Sequence, residues 1–434
     1  MAAGGCWRKW LTNGNRFSGP PGGALVIGGN YRALGVVRSL GRQSIQVWVL
    51  MDEHVVATMS RYTRRHLLWP TAEPEQLQYL LKLCEEHKLD GWVLFPTDDE
   101  AAALIARNHS VLAERFRLTS PAWEVLRWCY DKRLTHRLAR ETGVDQPQTY
   151  MPKNRQEVAA IECTFPVILK PAFKQTFNRF THAKAWRVDN QNALLSSYDE
   201  ACTLVDPVVI MIQELIPGGG DEQFSFAALC VDGVPLSRIT ARRTRQYPLD
   251  FGLASSYVES VHVPEVEARA CKLLKAIQFT GLVEVEFKRD PRDGGYKLLD
   301  INPRVWGWHT LGAQAGTDFP HLLWRAIQGE SLPETRGRAG VRWIRMATDV
   351  PAVLEEFLHG RLSPRAYLRS LRGPLEFAIF ASDDPIPALV DAPYMAWLAL
   401  KRKAKRPSVG NSVKAGGQVQ EQPAVEARIL NRLQ

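Results

Sequence analysis

The sequence predicts a parallel, doubly wound α/β domain followed by an α+β domain built around an antiparallel sheet. Three observations predict this. Short apolar runs alternate with helix-period stretches up to about residue 120. From about residue 150 the strand-like runs return on themselves like hairpins. In one such pair, acidic residues recur at every second position.

Residues 24–28 (ALVIG) read as a buried strand, followed by a Gly-Gly turn and a helical stretch to Leu40. Residues 45–51 (IQVWVLM) and 91–95 (GWVLF) are the next strands, with a helical pattern near 74–88 between them. The segment 131–142 (DKRLTHRLARET) is expected to be helical and to end at Gly143 and Pro147. Further strands are expected at 166–170 (PVILK), 208–214 (VVIMIQE), 222–231, 281–288 (GLVEVEFK) and 296–302 (YKLLDIN), with helices over 190–202 and 264–279. The expected division is a tail over 1–23, the α/β domain over 24–120 and the second domain over 121–330. An accessory segment without an assignable motif follows over 331–400, and a polar, basic tail over 401–434 reads as disordered.

At 434 residues the chain has room for two or three buried cores, and 45% hydrophobic with 23% charged residues is an ordinary soluble balance. No apolar run reaches the roughly 18 residues of a membrane span, and the N-terminus lacks the apolar core of a secretory signal. Its basic, acid-free character leaves an organelle-transit reading open. Seven scattered cysteines, never paired as CxxC, point to reduced thiols in the cytoplasm. The net charge of +9 lies wholly in the tails: residues 401–434 hold eight Lys/Arg against two Glu, and residues 1–23 hold Arg8, Lys9 and Arg16 with no acid. The body between is neutral, so no nucleic-acid groove is indicated. The KRKAKR run reads as a solvated end, or as a contact for membrane or RNA.

The chemistry concentrates at 281–304. In GLVEVEFKRD, Glu284 and Glu286 share one strand face while Val283, Val285 and Phe287 take the other. In YKLLDINPR, Asp300 and Asn302 share a face opposite Leu299 and Ile301. Asp293-Gly294 supplies a hairpin turn, and folding about it brings Glu286 opposite the Asp300–Asn302 region. Cross-strand neighbours sit about 5 Å apart at Cβ, so these oxygens can gather around one hard cation such as Mg²⁺ or Mn²⁺. Arg304 follows at the strand end, where a guanidinium matches a phosphoryl group. Lys170 ends the strand PVILKP and can aim its ammonium at phosphates.

LLDINPRVWG resembles the metal-binding strand of ATP-grasp enzymes, and the VEF strand resembles their second ligand strand. The similarity, to carbamoyl-phosphate-synthase-like and carboxylate–amine-ligase members, spans roughly residues 120–330. It implies a Rossmann-like pre-ATP-grasp domain followed by a two-subdomain ATP-grasp fold clasping ATP and Mg²⁺. By that resemblance Glu286, Asp300 and Asn302 are the metal ligands, Lys132 and Lys170 meet the phosphates, and Arg304 and Lys170 stabilise the transferring group. QELIPGG resembles the family hinge, which assigns Gln213, Glu214 and Ile216 to the adenine edge and Glu222, or failing that Asp221, to the ribose. Asp300 stands where many members have Glu. The phosphate-covering loop, usually Gly-rich, corresponds to FKQTFNRFTHAK (173–184), which has no glycine; Lys174, Arg179 and Lys184 would substitute side-chain charge there.

The expected activity is an ADP-forming ligase that joins a small-molecule carboxylate to an amine through an acyl phosphate. Bicarbonate-dependent carboxylase chemistry and a non-catalytic ATP-binding module are the alternatives. Arg242, Arg243 and Arg245 are substrate candidates, or else a solvated basic strand edge. Trp306, Trp308 and His309 either line the acceptor pocket or pack. Gly28-Gly29-Asn30 with Gly35 is an incomplete dinucleotide motif, so the first domain reads as enclosing the acceptor rather than binding NAD. Oligomeric state leaves no mark on these residues; a homodimer is compatible with them.

Overall fold

The computed structural model describes residues 17, 19–173, 178–182, 185–248 and 254–404. Its first sheet is wholly parallel. It comprises β1 (Ala24–Ile27), β2 (Val47–Met51), β3 (Thr63–Leu68), β4 (Val93–Pro96) and β5 (Arg117–Leu118) in the order β3-β2-β1-β4-β5. Uninterrupted apolar runs form β1 and β4 because helices cover both faces of such a sheet, and both strands are fully buried. After β1, Gly28 takes φ +115°, and a Cβ there would meet the Thr97 hydroxyl at 2.2 Å. The chain then enters the helix Tyr31–Gly41, capped by Asn30. After β4, Asp98 caps the helix Asp99–Arg107 by accepting from the Ala101 amide at 2.7 Å. The strand order diverges between β1 and β4, so both helix N-termini open onto one crevice at the carboxyl edge of the sheet.

The second sheet is antiparallel and small. It runs β6-β9-β7-β8, with β6 Thr149–Tyr150, β7 Val167–Pro171, β8 Trp186–Val188 and β9 Ile210–Glu214. Leu194, Tyr198 and Ala201 of the helix Gln191–Cys202 close its core against Val167, Leu169 and Ile212.

The third sheet has eight strands. β10 (Gln223–Val231), β11 (Val234–Tyr247), β12 (Ala254–Val261), β13 (Gly281–Arg289) and β14 (Tyr296–Asn302) form its antiparallel body in the order β14-β13-β10-β11-β12. The apolar face of β13 and β14 (Val283, Val285, Phe287, Leu298, Ile301) packs on Val266, Ala270, Leu273 and Leu274 of the helix Pro264–Ala276. Burying these side chains contributes about 1.5–3 kcal/mol each, and it commits the alternate positions to the opposite face. β15 (Thr335–Arg336), β16 (Arg342–Ile344) and β17 (Leu375–Phe377) come from the segment without a motif and extend the same sheet, β15 on β11 and β16 on β12.

One expectation needs correcting. Leu298, not Leu299, shares the core with Ile301, because the pairing slips between Glu286↔Asp300 and Phe287↔Leu298 and leaves Leu299 as a bulge. Contacts divide the chain into a unit ending at Ala392 and one starting at Pro393, whose described part continues the helix Ile386–Ala404. Among the described residues no helix is long and apolar enough to cross a membrane, and the described cysteines are free thiols.

Candidate nucleotide and metal site

Glu286 and Asp300 are Cα partners on β13 and β14, and Glu284 pairs with Asn302 two positions along. All four border one cavity of about 390 Å³, together with Lys132, Arg243, Arg304 and Trp308. The cavity's opposite wall is the crevice of the parallel sheet, with Tyr31, Arg32, Asp98, Asp99 and Glu100.

The acids are heavily engaged. Asn302 Nδ2 donates to Glu284 Oε2 at 3.1 Å and to Glu286 Oε1 at 2.8 Å. Trp308 Nε1 donates to the other oxygen of Glu284 at 2.7 Å. Lys132, at the start of the helix Lys132–Glu141, forms an ion pair with Asp300, and Arg243 Nη2 lies 3.3 Å from Glu286 Oε2. Arg304 turns from the strand end to Asp99, Nε at 2.8 Å and Nη2 at 3.2 Å, and also donates to Asn302 Oδ1 at 3.2 Å. Glu284 is 4% exposed. Burial, reinforced by the neighbouring Glu286 charge, pushes its carboxyl up to about 7. Glu284 borders the cavity although the sequence singled out only Glu286 of this strand; its place on the Glu286 face was the available signal.

The remaining predicted residues lie apart from this cavity. Gln213 is buried and donates to Thr149 Oγ1 at 2.8 Å, with His136 Nε2 at 3.1 Å. Its neighbour His136 is held near 3 by burial and by the Lys170 charge; Lys170 itself sits half-buried on β7. Glu214 borders a separate cavity of about 400 Å³, accepts from the Gln148 amide at 3.1 Å and pairs with Arg292. Ile216 is buried. Glu222 gives both oxygens to Arg289, at 2.7 and 3.0 Å, and Asp221 accepts from Arg242 through its carbonyl at 2.6 Å. Lys174 and Lys184 lie outside the described residues, as does the side chain of Arg179.

Of the arginine trio, only Arg243 borders the cavity. The register slips on both sides of Arg245, which turns to the fully buried Asp349 at 2.8 and 3.0 Å and stacks 4.0 Å over Tyr257. Trp306 and His309 pack in the core, the latter lowered to about 4 by burial.

The donor chemistry of the hairpin fits a hard divalent cation. Every donor is oxygen, two carboxylates face each other in register, and a third is buried against like charge. Among the described residues no group of three or more His, Cys, Asp or Glu converges as a ready metal cluster. The oxygens are instead neutralised by Lys132 and Arg243, and Asn302 presents its nitrogen to the glutamates.

A parallel sheet, a small antiparallel sheet and a large one carrying an acidic hairpin make up an ATP-grasp fold. Residues 225–347 match the family model described as ATP-grasp in the biosynthetic pathway with Ter operon. The chain is 24% identical over 262 residues to the D-aspartate ligase of Enterococcus faecium (strain Aus0004), covering 54% of this chain and 58% of that protein. It thus spans little more than half the length of the curated relative it matches. Among solved structures it resembles the L-amino acid ligase of Bacillus licheniformis, with TM-score 0.54, 15% identity and coverage of 71% of this chain and 75% of that one. It also resembles the biotin carboxylase of Campylobacter jejuni in its β,γ-ATP complex, with TM-score 0.58, 15% identity and coverage of 71% and 72%.

Proposed function

We propose that this chain is a cytoplasmic ligase that uses ATP and Mg²⁺ or Mn²⁺ to activate a small-molecule carboxylate as an acyl phosphate, which an amine then attacks. A carboxylate oxygen bonds to the γ-phosphorus as the bond to the β-γ bridging oxygen breaks and ADP leaves. The amine nitrogen next bonds to the acyl carbon, phosphate departs, and the nitrogen gives up a proton. The observation that supports this reading is the gathering of Glu284, Glu286, Asp300 and Asn302 on facing strands beside Lys132, Arg243 and Arg304.

In this reading Glu286, Asp300 and Asn302 hold the metal, with Glu284 behind them. The cation, when bound, offsets the charge of the phosphates. Lys132 and Lys170 meet the phosphates, and Arg304 and Lys170 stabilise the group in transfer. Lys184 adds charge from the covering loop. The adenine edge falls to Gln213, Glu214 and Ile216, the ribose to Glu222 or Asp221, and substrate contacts to Arg243, which borders the cavity where Arg242 and Arg245 do not. Residues 24–120 serve as the pre-ATP-grasp domain and 121–330 as the ATP-grasp domain. The relatives' names, D-aspartate ligase and L-amino acid ligase, favour carbon–nitrogen ligation.

The test is ADP release from Mg-ATP with pooled amino acids and small carboxylates, using Asp300→Ala as control. Release that needs an amino compound and disappears in Asp300→Ala, with the melting temperature retained, is the expected result. Release that follows bicarbonate instead would assign carboxylase-type chemistry. Binding of Mg-ATP without ADP across the whole panel would leave a nucleotide-binding module.

A further inference from the structure

The helix Met346–Leu358 has two faces of different character. Asp349, Ala352 and Val353 are buried where the helix packs on β11 and β12. Met346, Val350, Leu354 and Leu358 follow at every fourth residue and are exposed, Leu358 by 87%. Residues four apart stack on one side of a helix, so these four form a continuous apolar stripe turned away from the sheet. Contact with the core accounts for the first face. Large apolar side chains gathered in water instead mark a surface that meets a partner.

The segment that follows supplies charge of one sign. From Phe357 to Leu375 the chain holds Arg361, Arg365, Arg369 and Arg372 and no Asp or Glu. Arg365 and Arg369 lie on the helix Pro364–Ser370 with Leu368, which is 61% exposed. Arg361 pairs with Glu356 at 3.4 Å, whereas among the described residues no ion pair engages Arg365, Arg369 or Arg372. The two helices sit on one side of the sheet, because Arg245 pairs with Asp349 of the first and stacks over Tyr367 of the second. Phe357 and Tyr367 join them edge-on, with ring centroids 6.2 Å apart. At the other end Arg345, the residue before the stripe, lies 3.9 Å from Asp391 of the helix Ile386–Ala404, whose Leu389 is 74% exposed.

We propose that this face docks on an anionic lipid surface, its leucines entering the headgroup boundary and its arginines pairing with lipid phosphates. Helices with an apolar side and flanking Lys/Arg lie in that boundary without crossing it, and no described helix is long and apolar enough to cross. A planar guanidinium takes a phosphate through two N–H groups, and the cytoplasmic leaflet is negatively charged. A second copy of the chain fits less well, since a two-fold contact would set these arginines against themselves. Nucleic acid would use the arginines and leave the leucines in water. The run KRKAKR at 401–406 adds five cations in sequence that the same leaflet would attract. The face involves none of the residues around the main cavity, so the inference stands apart from the ligase reading.

Co-sedimentation of the full-length protein with vesicles tests this, using pure phosphatidylcholine against equal parts of phosphatidylcholine and phosphatidylglycerol. Binding to the anionic vesicles should be about tenfold tighter or more, and should weaken as salt rises. Arg365→Gln with Arg369→Gln should weaken it about 30-fold, roughly fivefold per arginine lost at the surface. Leu354→Gln with Leu358→Gln should weaken it about tenfold with the salt dependence kept. Because these side chains are exposed, both variants should keep the wild-type melting temperature. A variant with Lys401, Arg402, Lys403, Lys405 and Arg406 all replaced by glutamine should still prefer the anionic vesicles. Equal binding to both vesicles, wild-type affinity in either face variant, or loss of the preference with the tail charges would overturn the assignment. A concentration-dependent doubling of mass that Leu354→Gln with Leu358→Gln abolishes, in a protein that ignores vesicles, would give the face to a second copy instead.

Discussion

Arg304 and Asp99 stand 205 residues apart in sequence and meet through two hydrogen bonds of 2.8 and 3.2 Å. The arginine that closes the Asn-Pro-Arg run is thus aimed by a helix of the parallel-sheet domain, 11% exposed at its side chain. That domain takes part in shaping the cavity rather than only covering it.

The pair predicts an ordered loss. Arg304→Lys keeps the charge but gives up the planar fork, and kcat for ADP release should fall by about 10²–10³, as for removal of a transition-state donor. Asp99→Asn leaves the guanidinium in place but loosely held, and should cost roughly tenfold with KM for ATP little changed. Equal effects of both substitutions would remove Asp99 as the positioning residue.

Glu284→Gln should separate stability from metal use. The buried carboxylate faces Glu286, and burial with like charge raises it to about 7. A neutral isostere removes that repulsion, so the variant should melt higher than wild type at pH 8 without divalent metal. It should also need more Mg²⁺ for half-maximal turnover. An unchanged Mg²⁺ requirement would place Glu284 outside the metal's surroundings.

The hairpin was legible because alternation over β13 and β14 and an Asp-Gly turn are local signals. Glu286 and Asp300 meet as that alternation implies. Depth and long-range pairing were not legible. Nothing in VEVEF distinguishes Glu284 from Glu286, and the difference comes from Trp308, whose indole donates to Glu284 from the loop beyond the motif. Arg243 and Arg245 share a face in an ideal strand. Two register slips in β11 send Arg243 to the cavity and Arg245 to a buried aspartate. Asp99 and Arg32 gain meaning only from the strand order that gathers their helices into one crevice.

Acid sensitivity should trace in part to His136. The ring is 1% exposed and bonded to Gln146 and Gln213. Burial first, then the Lys170 charge, lowers it to about 3. The unfolded chain takes up this proton near 6.5 while the folded protein refuses it. Stability is therefore complete above about pH 6.5 and falls as pH drops toward 3, by about 2 kcal/mol at pH 5 from this group. His136→Gln should flatten the pH dependence of urea unfolding between pH 6.5 and 5. A curve parallel to wild type would reject the assignment.

Arg245→Ala tests whether this arginine serves substrate or structure. Its partner Asp349 is fully buried in the helix Met346–Leu358, and the guanidinium also stacks on Tyr257 and Tyr367 at 4.0 and 5.2 Å. Removing the guanidinium strands a carboxylate away from water, which costs about 3–5 kcal/mol. Denaturant unfolding should show that loss, while KM for every substrate in the folded fraction stays within about twofold of wild type. Asp349→Asn combined with Arg245→Gln removes both charges and should recover much of the stability, because the cost lies in the unpaired ion. A large rise in KM with normal stability would return Arg245 to the substrate site.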